Sequence, residues 1–129
     1  MFGMTDDQKL LMKIKPHAYF IMMRVGQGTY EGWNMIAVRL NTGQYAANKH
    51  FEPGPQEVVT EGLKALGEVH VRFLTQDRVG VSGDQMRAIG DALCMCDDLQ
   101  DACKRREWLD VIDRVYTIAG VLYSPTKPH

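Results

Sequence analysis

Between Trp33 and Leu122 the apolar residues return at three- and four-residue steps, the period of one face of an α-helix, and this spacing leaves little room for a β-sheet. Trp33, Ile36, Ala37, Leu40, Gly43 and Ala47 form the first such face, after the loop "GQGT" and a Thr29 that suits an N-cap. The predicted helix runs from about Tyr30 to about Lys49. Gly43 costs it about 1 kcal/mol against alanine, but with Ala47 one turn on it leaves a shallow surface that a neighbouring helix can approach closely. "EPGP" then breaks the chain, and Pro55 suits the first position of the next helix. Val59, Leu63, Leu66, Val69 and Phe73 carry that helix to about Thr75, where the loop "QDRVGV" ends it.

Ser82 with Gln85 three residues later is a capping-box pattern, opening a helix whose inward seam is Met86, Ile89, Leu93, Cys96 and Cys103. Further downstream the apolar set is Trp108, Val111, Ile112, Val115, Ala119 and Leu122, which is out of phase with that seam. The five steps from Cys103 to Trp108 rotate it by roughly 140°, too far for one straight helix to bury against one partner. A break near Lys104 follows, although neither glycine nor proline marks it; a long continuous helix spanning two partners is the rival.

At the amino-terminal end Thr5 and Gln8 form another capping-box pattern. A short helix is expected from Asp6, turning Leu10, Leu11 and Ile14 inward and ending at Pro16. "HAYFIMMRV" after it is ambiguous, and a short extended segment near residues 17–25 is as compatible with it as a buried helical turn. The expectation is an all-α bundle of four to five helices, with residues 1–123 as one domain and "SPTKPH" (124–129) as a loose tail.

A length of 129 residues suits one hydrophobic core, and 45% hydrophobic with 24% charged residues places the chain among globular rather than disordered sequences. The net charge of −1 gives no overall field to draw it onto nucleic acid or an anionic membrane, so any electrostatic recognition must be local. The longest apolar run, "AYFIMM", is far short of the roughly 20 residues that span a bilayer. "MFGMTDDQK" lacks the basic and apolar regions of a signal peptide, which makes the cytoplasm the expected location. Two tryptophans, Trp33 and Trp108, and eight methionines are apolar surface to spare, and a homodimer is the expected way to cover it.

Three cysteines fall in "ALCMCDDLQDACKRREW". On a helix Cys94 and Cys96 lie about 200° apart and cannot ligate one tetrahedral ion, while Cys96 and Cys103 are about 10.5 Å apart along the axis, beyond a disulfide. Free thiols are expected, with Cys94 open and the other two shielded. His17, His50, His70 and His129 are scattered, so no metal or other cofactor is expected. No G-x-S-x-G, Walker A, G-x-G-x-x-G or H-E-x-x-H pattern occurs, and His70 reads as a packed histidine rather than a general base. A non-enzyme is expected.

"NMIAVRLNTGQYAANKHF" can be parsed as helix, turn at "NTG" and recognition helix, but it offers only Gln44, Asn48 and Lys49 to bases. The unbroken apolar spacing through Gly43 favours one continuous helix. The basic cluster "CKRRE" at 103–107 reads as a solvated corner, so nucleic acid is not the expected partner. A different surface is more unusual: Asp84, Asp91 and Asp98 recur at seven-residue spacing, with Arg87, Cys94 and Asp101 between or beside them, on the side opposite the apolar seam. A solvated outer face accounts for it; the functional alternative is a docking stripe for a basic protein partner, formed by Asp84, Asp91, Cys94, Asp98 and Asp101.

"GW" followed by "RLNTGQYAA" and later "SGDQMRAIGDALCMCDDLQDACKRRE" resembles short, uncharacterised helical proteins of proteobacterial chromosomes, plasmids and prophages, over about residues 30–118. The matching residues are packing positions and helix caps, so the resemblance implies an all-helical fold and a mobile-element origin and assigns no activity. The expected function is a small non-catalytic protein acting by protein–protein interaction, an accessory or regulatory factor. A DNA-binding regulator and an inhibitor of a host defence complex are the alternatives.

Overall fold

Among the described residues the chain forms five helices: α1 (Asp6–Arg24), α2 (Tyr30–His50), α3 (Pro55–Gln76), α4 (Gly83–Ala102) and α5 (Arg105–Tyr123). The structure is a computed structural model that describes residues 5–76 and 82–123, with the side chains of Phe73, Gln76 and residues 116–123 outside the description. Most of the expected "QDRVGV" loop, the tail at 124–129 and the core roles of Phe73, Ala119 and Leu122 therefore lie outside the described residues.

The helix starts follow the sequence signals. Thr5 and Ser82 each accept from the backbone N–H three residues on, and Gln8 and Gln85 return the bond to the cap N–H, so both capping boxes are complete. Thr29 caps α2 by accepting from Gly32 N–H at 3.0 Å. The α4–α5 break falls at Cys103, which is extended (φ −70°, ψ 139°). No serine or threonine caps α5, yet half of a capping box is present: Glu107 reaches back to accept from Lys104 N–H at 2.8 Å. That carboxylate and the phase jump of the apolar seam turn the chain where punctuating residues are absent.

α1 departs from expectation. It runs through Pro16 and on to Arg24, so there is no extended segment at 17–25. A proline inside a helix costs about 3 kcal/mol, and burial of Pro16 together with Phe20 and Met23 on the same face offsets it. That face fixes the helix phase. Leu10, Leu11 and Ile14, expected inside, are about half exposed on the other side. Gly26 ends the run with φ 78°, a left-handed conformation that glycine adopts without strain, and its N–H reaches Met23 O at 3.2 Å.

α2 is the hub, packed against all four other helices, while α3 and α4 make the most extensive pairing. On one side of α2 lies the larger core, with Phe20, Met23, Ile36, Leu40, Val59, Leu66, Val69, Ile89, Leu93 and Cys96. On the other, Ala46 packs under Trp108, Val111, Ile112 and Val115 of α5. Two glycines set the closest approaches. A methyl group at Gly43 would run into Sγ and Cβ of Cys96, and one at Gly62 would run into Ala92 Cβ and the Ala88 carbonyl. Trp33 is partly buried, with its indole N–H donating to Leu66 O at 2.9 Å, and Trp108 is buried, so neither tryptophan supplies the spare apolar surface expected of it.

Candidate functional site

The two ends of α2 are held differently. At its carboxyl end Lys49 pairs with Asp110 at 2.8 Å, and His50 Nδ1 lies 3.7 Å from Glu107, so basic side chains at one helix terminus meet acids from the first turns of α5. "NTG" forms no turn: α2 is continuous from Tyr30 to His50. Two of the three side chains available to a recognition helix are engaged within the domain, Gln44 donating to Thr60 Oγ1 and Lys49 to Asp110.

A polar group unannounced by the sequence ties α1, α2 and α4 together. Asp97 accepts from Arg39 Nη2 through one carboxylate oxygen at 2.9 Å, and the other lies 2.9 Å from His17 Nε2. The Arg39 side chain is only 3% exposed and its guanidinium sits 5.7 Å from the centroid of the Trp108 ring. Its Nε and Nη1 have no hydrogen-bond partner, so Asp97 is the anion that makes its burial tolerable. Nothing in this arrangement pairs a nucleophile with a base; it locks three helices in register.

Beside it, between the first half of α1 and the α4–α5 corner, lies a cleft of about 300 Å³. Lys9, Leu10 and Lys13 form one wall, and Gln100, Arg105 and Trp108 contribute to the other. A Lys13–Asp101 ion pair at 2.6 Å crosses between them.

The cysteines stand as their helix phase requires: Cys94 is exposed, Cys96 buried, Cys103 half-buried, and all are free. Burial pushes the Cys96 thiol up to about 12, against the pull of the nearby Arg39 charge, and its Sγ contacts Arg39 O at 3.5 Å. Burial, then the neighbouring Glu107, pushes Cys103 up to about 11. Cys94 is also raised, first by partial desolvation and then by Asp97, Asp91 and Asp98. The thiolate is the reactive form, and raising a thiol's pKa lowers its thiolate fraction at neutral pH. Iodoacetamide labelling of the native protein is therefore expected to be slow at pH 7, to accelerate as pH passes 9, and to reach Cys94 before Cys103 and Cys96. Peptide mass spectrometry reads the order; labelling of Cys96 first would contradict the packing.

Asp84, Asp91, Cys94, Asp98 and Asp101 are all exposed along the outer side of α4, together with Arg87. Asp101 is engaged by Lys13, and Asp97, next in sequence to the stripe, turns toward Arg39. Among the described residues no group of three or more His, Cys, Asp or Glu side chains is placed to hold a metal ion. No helix among them is long and apolar enough to cross a membrane.

Sequence reading missed the apolar outer side of α1. Leu10, Leu11, Ile14, Ile21, Met22 and Val25 are all exposed on it, with Ala18 among them. The available signal was the continuation of the helical period beyond Pro16, which puts Phe20 and Met23 opposite these residues. No family model matches this chain, and neither does any curated protein or solved structure.

Proposed function

We propose that this chain is a small non-catalytic helical protein that acts by protein–protein interaction, as an accessory or regulatory factor of a mobile element working in the cytoplasm. The observation that carries the reading is the outer side of α1. Six large apolar side chains, five on α1 from Leu10 to Met22 and the sixth at its C-cap, Val25, are each about half exposed or more, while the opposite side of the helix is packed on the core. Contiguous exposed apolar surface of this kind marks interaction sites, whereas scattered single residues do not.

The acidic stripe of α4 is a second surface, on which a basic protein partner can dock through Asp84, Asp91, Asp98 and Asp101, with Cys94 as the apolar member of the row. Its role is tested by capture from a host lysate with tagged wild type and with the double reversal Asp91→Arg, Asp98→Arg. Both positions are exposed, so stability is expected to change by no more than about 0.5 kcal/mol per site. Capture of a basic partner is expected to fall at least about tenfold in the variant and to weaken with salt in the wild type. Unchanged capture by the folded variant would reduce the stripe to a solvated face.

A further inference from the structure

We infer that the cleft between the first half of α1 and the α4–α5 corner binds a small organic carboxylate that also carries an N–H or O–H donor. The inference does not depend on the interaction reading above. Two side chains that line the cleft, Gln100 and Trp108, are only 6 and 2% exposed, and each keeps one polar atom without a hydrogen-bond partner among the described residues, Gln100 Oε1 and Trp108 Nε1. The orientation of the Gln100 amide is fixed. Its Nε2 donates to Lys9 O at 3.3 Å, and because a carbonyl can only accept, the oxygen is the atom left over. Buried polar groups nearly always find partners, so an indole N–H and an amide oxygen left over beside one cleft mark a place for a ligand that can both accept and donate.

Charge makes the accepting group an anion. The lining holds Lys9, Lys13 and Arg105 against Asp6 and Asp101, and Lys13 and Asp101 cancel each other at 2.6 Å. Lys9 is half-buried and has no carboxylate partner among the described residues. Arg105 is the first residue of α5, so the positive end of that helix dipole adds to its charge. Glu107, the acid of the same turn, is not part of the lining; it accepts from Lys104 N–H and lies near His50. With Asp6 as the remaining acid, the excess is one positive charge, which suits a carboxylate rather than a phosphate dianion. The two oxygens of a carboxylate match the planar fork of Arg105, or one of them accepts from the indole. Gln100 Oε1 then requires a donor elsewhere on the same molecule. A volume of about 300 Å³ is at the small end for ligand sites and suits a molecule the size of an acylated amino acid, with the exposed Leu10 as its apolar contact. Trp108 Nε1 and Gln100 Oε1 are closed to water in the free molecule, so the ligand enters as the mouth gives way. Asp101 is well exposed and releases Lys13 at little cost.

Nitrogen-15 spectra of the full chain, titrated with N-acetylglycine, give the test. The chain has two tryptophans and so two indole N–H signals, which Trp108→Phe or Trp33→Phe assigns. Trp33, whose indole already donates to Leu66 O, is the internal control. The Trp108 signal is expected to move downfield and saturate with a Kd on the order of 1 mM, about what a molecule this small can reach, while Trp33 stays in place. Acetate, which has no donor for Gln100, is expected to bind at least about threefold more weakly. N-acetylglycinamide, which has no charge, is expected to lose at least about tenfold. Arg105→Gln changes an exposed position and is expected to keep the fold, as circular dichroism reads, while weakening N-acetylglycine at least about threefold. A Trp108 signal that stays still up to tens of millimolar overturns the inference. So does a shift that sodium chloride reproduces, which is salt screening alone, or one that the neutral amide or the folded Arg105→Gln variant gives at the same concentrations, which leaves charge no part in the site.

Discussion

Replacing Asp97 with alanine is expected to cost about 3 kcal/mol of folding stability, because it leaves the Arg39 guanidinium buried without its anion. Arg39 cannot discharge by losing its proton, and with a side chain 3% exposed it cannot reach water without moving α2 from Trp108. The opposite partner matters less. His17 is about a third exposed, so His17→Ala is expected to cost no more than about 1 kcal/mol. Removing both charges separates the worth of the pair from the cost of orphaning one member. Arg39→Met with Asp97→Ala fills the same space with an apolar chain and should be more stable than Asp97→Ala alone. Urea unfolding of the three variants beside wild type measures all of these; a cost below about 0.5 kcal/mol for Asp97→Ala would mean that Arg39 finds another way to be satisfied.

The second large effect concerns the helix contacts at glycine. Gly62→Ala gains about 1 kcal/mol of helix propensity, yet its new methyl group meets Ala92 Cβ and the carbonyl of Ala88, neither of which can turn aside. α3 and α4 must separate, and overpacking of this kind costs typically ~1–3 kcal/mol, so a net loss is expected. Gly67→Ala on the same helix meets nothing within 4 Å and is expected to stabilise, making the sign reversal the diagnostic. Gly43→Ala meets Cys96, where the obstacle is a side chain as well as its stem. Cys96→Ala removes the sulfur and should recover part of the loss, a coupling of about 1 kcal/mol that thermal melting of the double-mutant cycle can read.

The helix ends were legible because each signal acts through neighbouring residues. Thr5 with Gln8, Thr29, Pro55 and Ser82 with Gln85 mark starts that the structure places at the same points. The break at Cys103 was legible as a jump of phase, since burial of two incompatible faces forces a turn whether or not glycine or proline is there. Gly43 was readable as a close approach for the same reason, although the sequence could not say that Cys96 would be what approaches.

What failed was local reasoning where tertiary packing decides. Pro16 resembles a helix stop within its own window, and only burial against the core keeps α1 running through it. The same misreading reversed the phase of Leu10, Leu11 and Ile14, since an outward seam and an inward one have one appearance until the opposite side is known. Arg39 and Asp97 lie 58 positions apart, and neither carries a local mark of the other. Cys94 with Asp84, Asp91, Asp98 and Asp101 was placed on an outer face correctly because their spacing is purely helical.

Amide hydrogen exchange of the free protein and of its complex with a partner captured from host lysate tests most directly whether the outer side of α1 is an interaction surface. Peptides from α1, residues 6–25, should exchange more slowly in the complex, while α3 stays unchanged. Exchange of α1 that is the same in both, with protection elsewhere or nowhere, would contradict it.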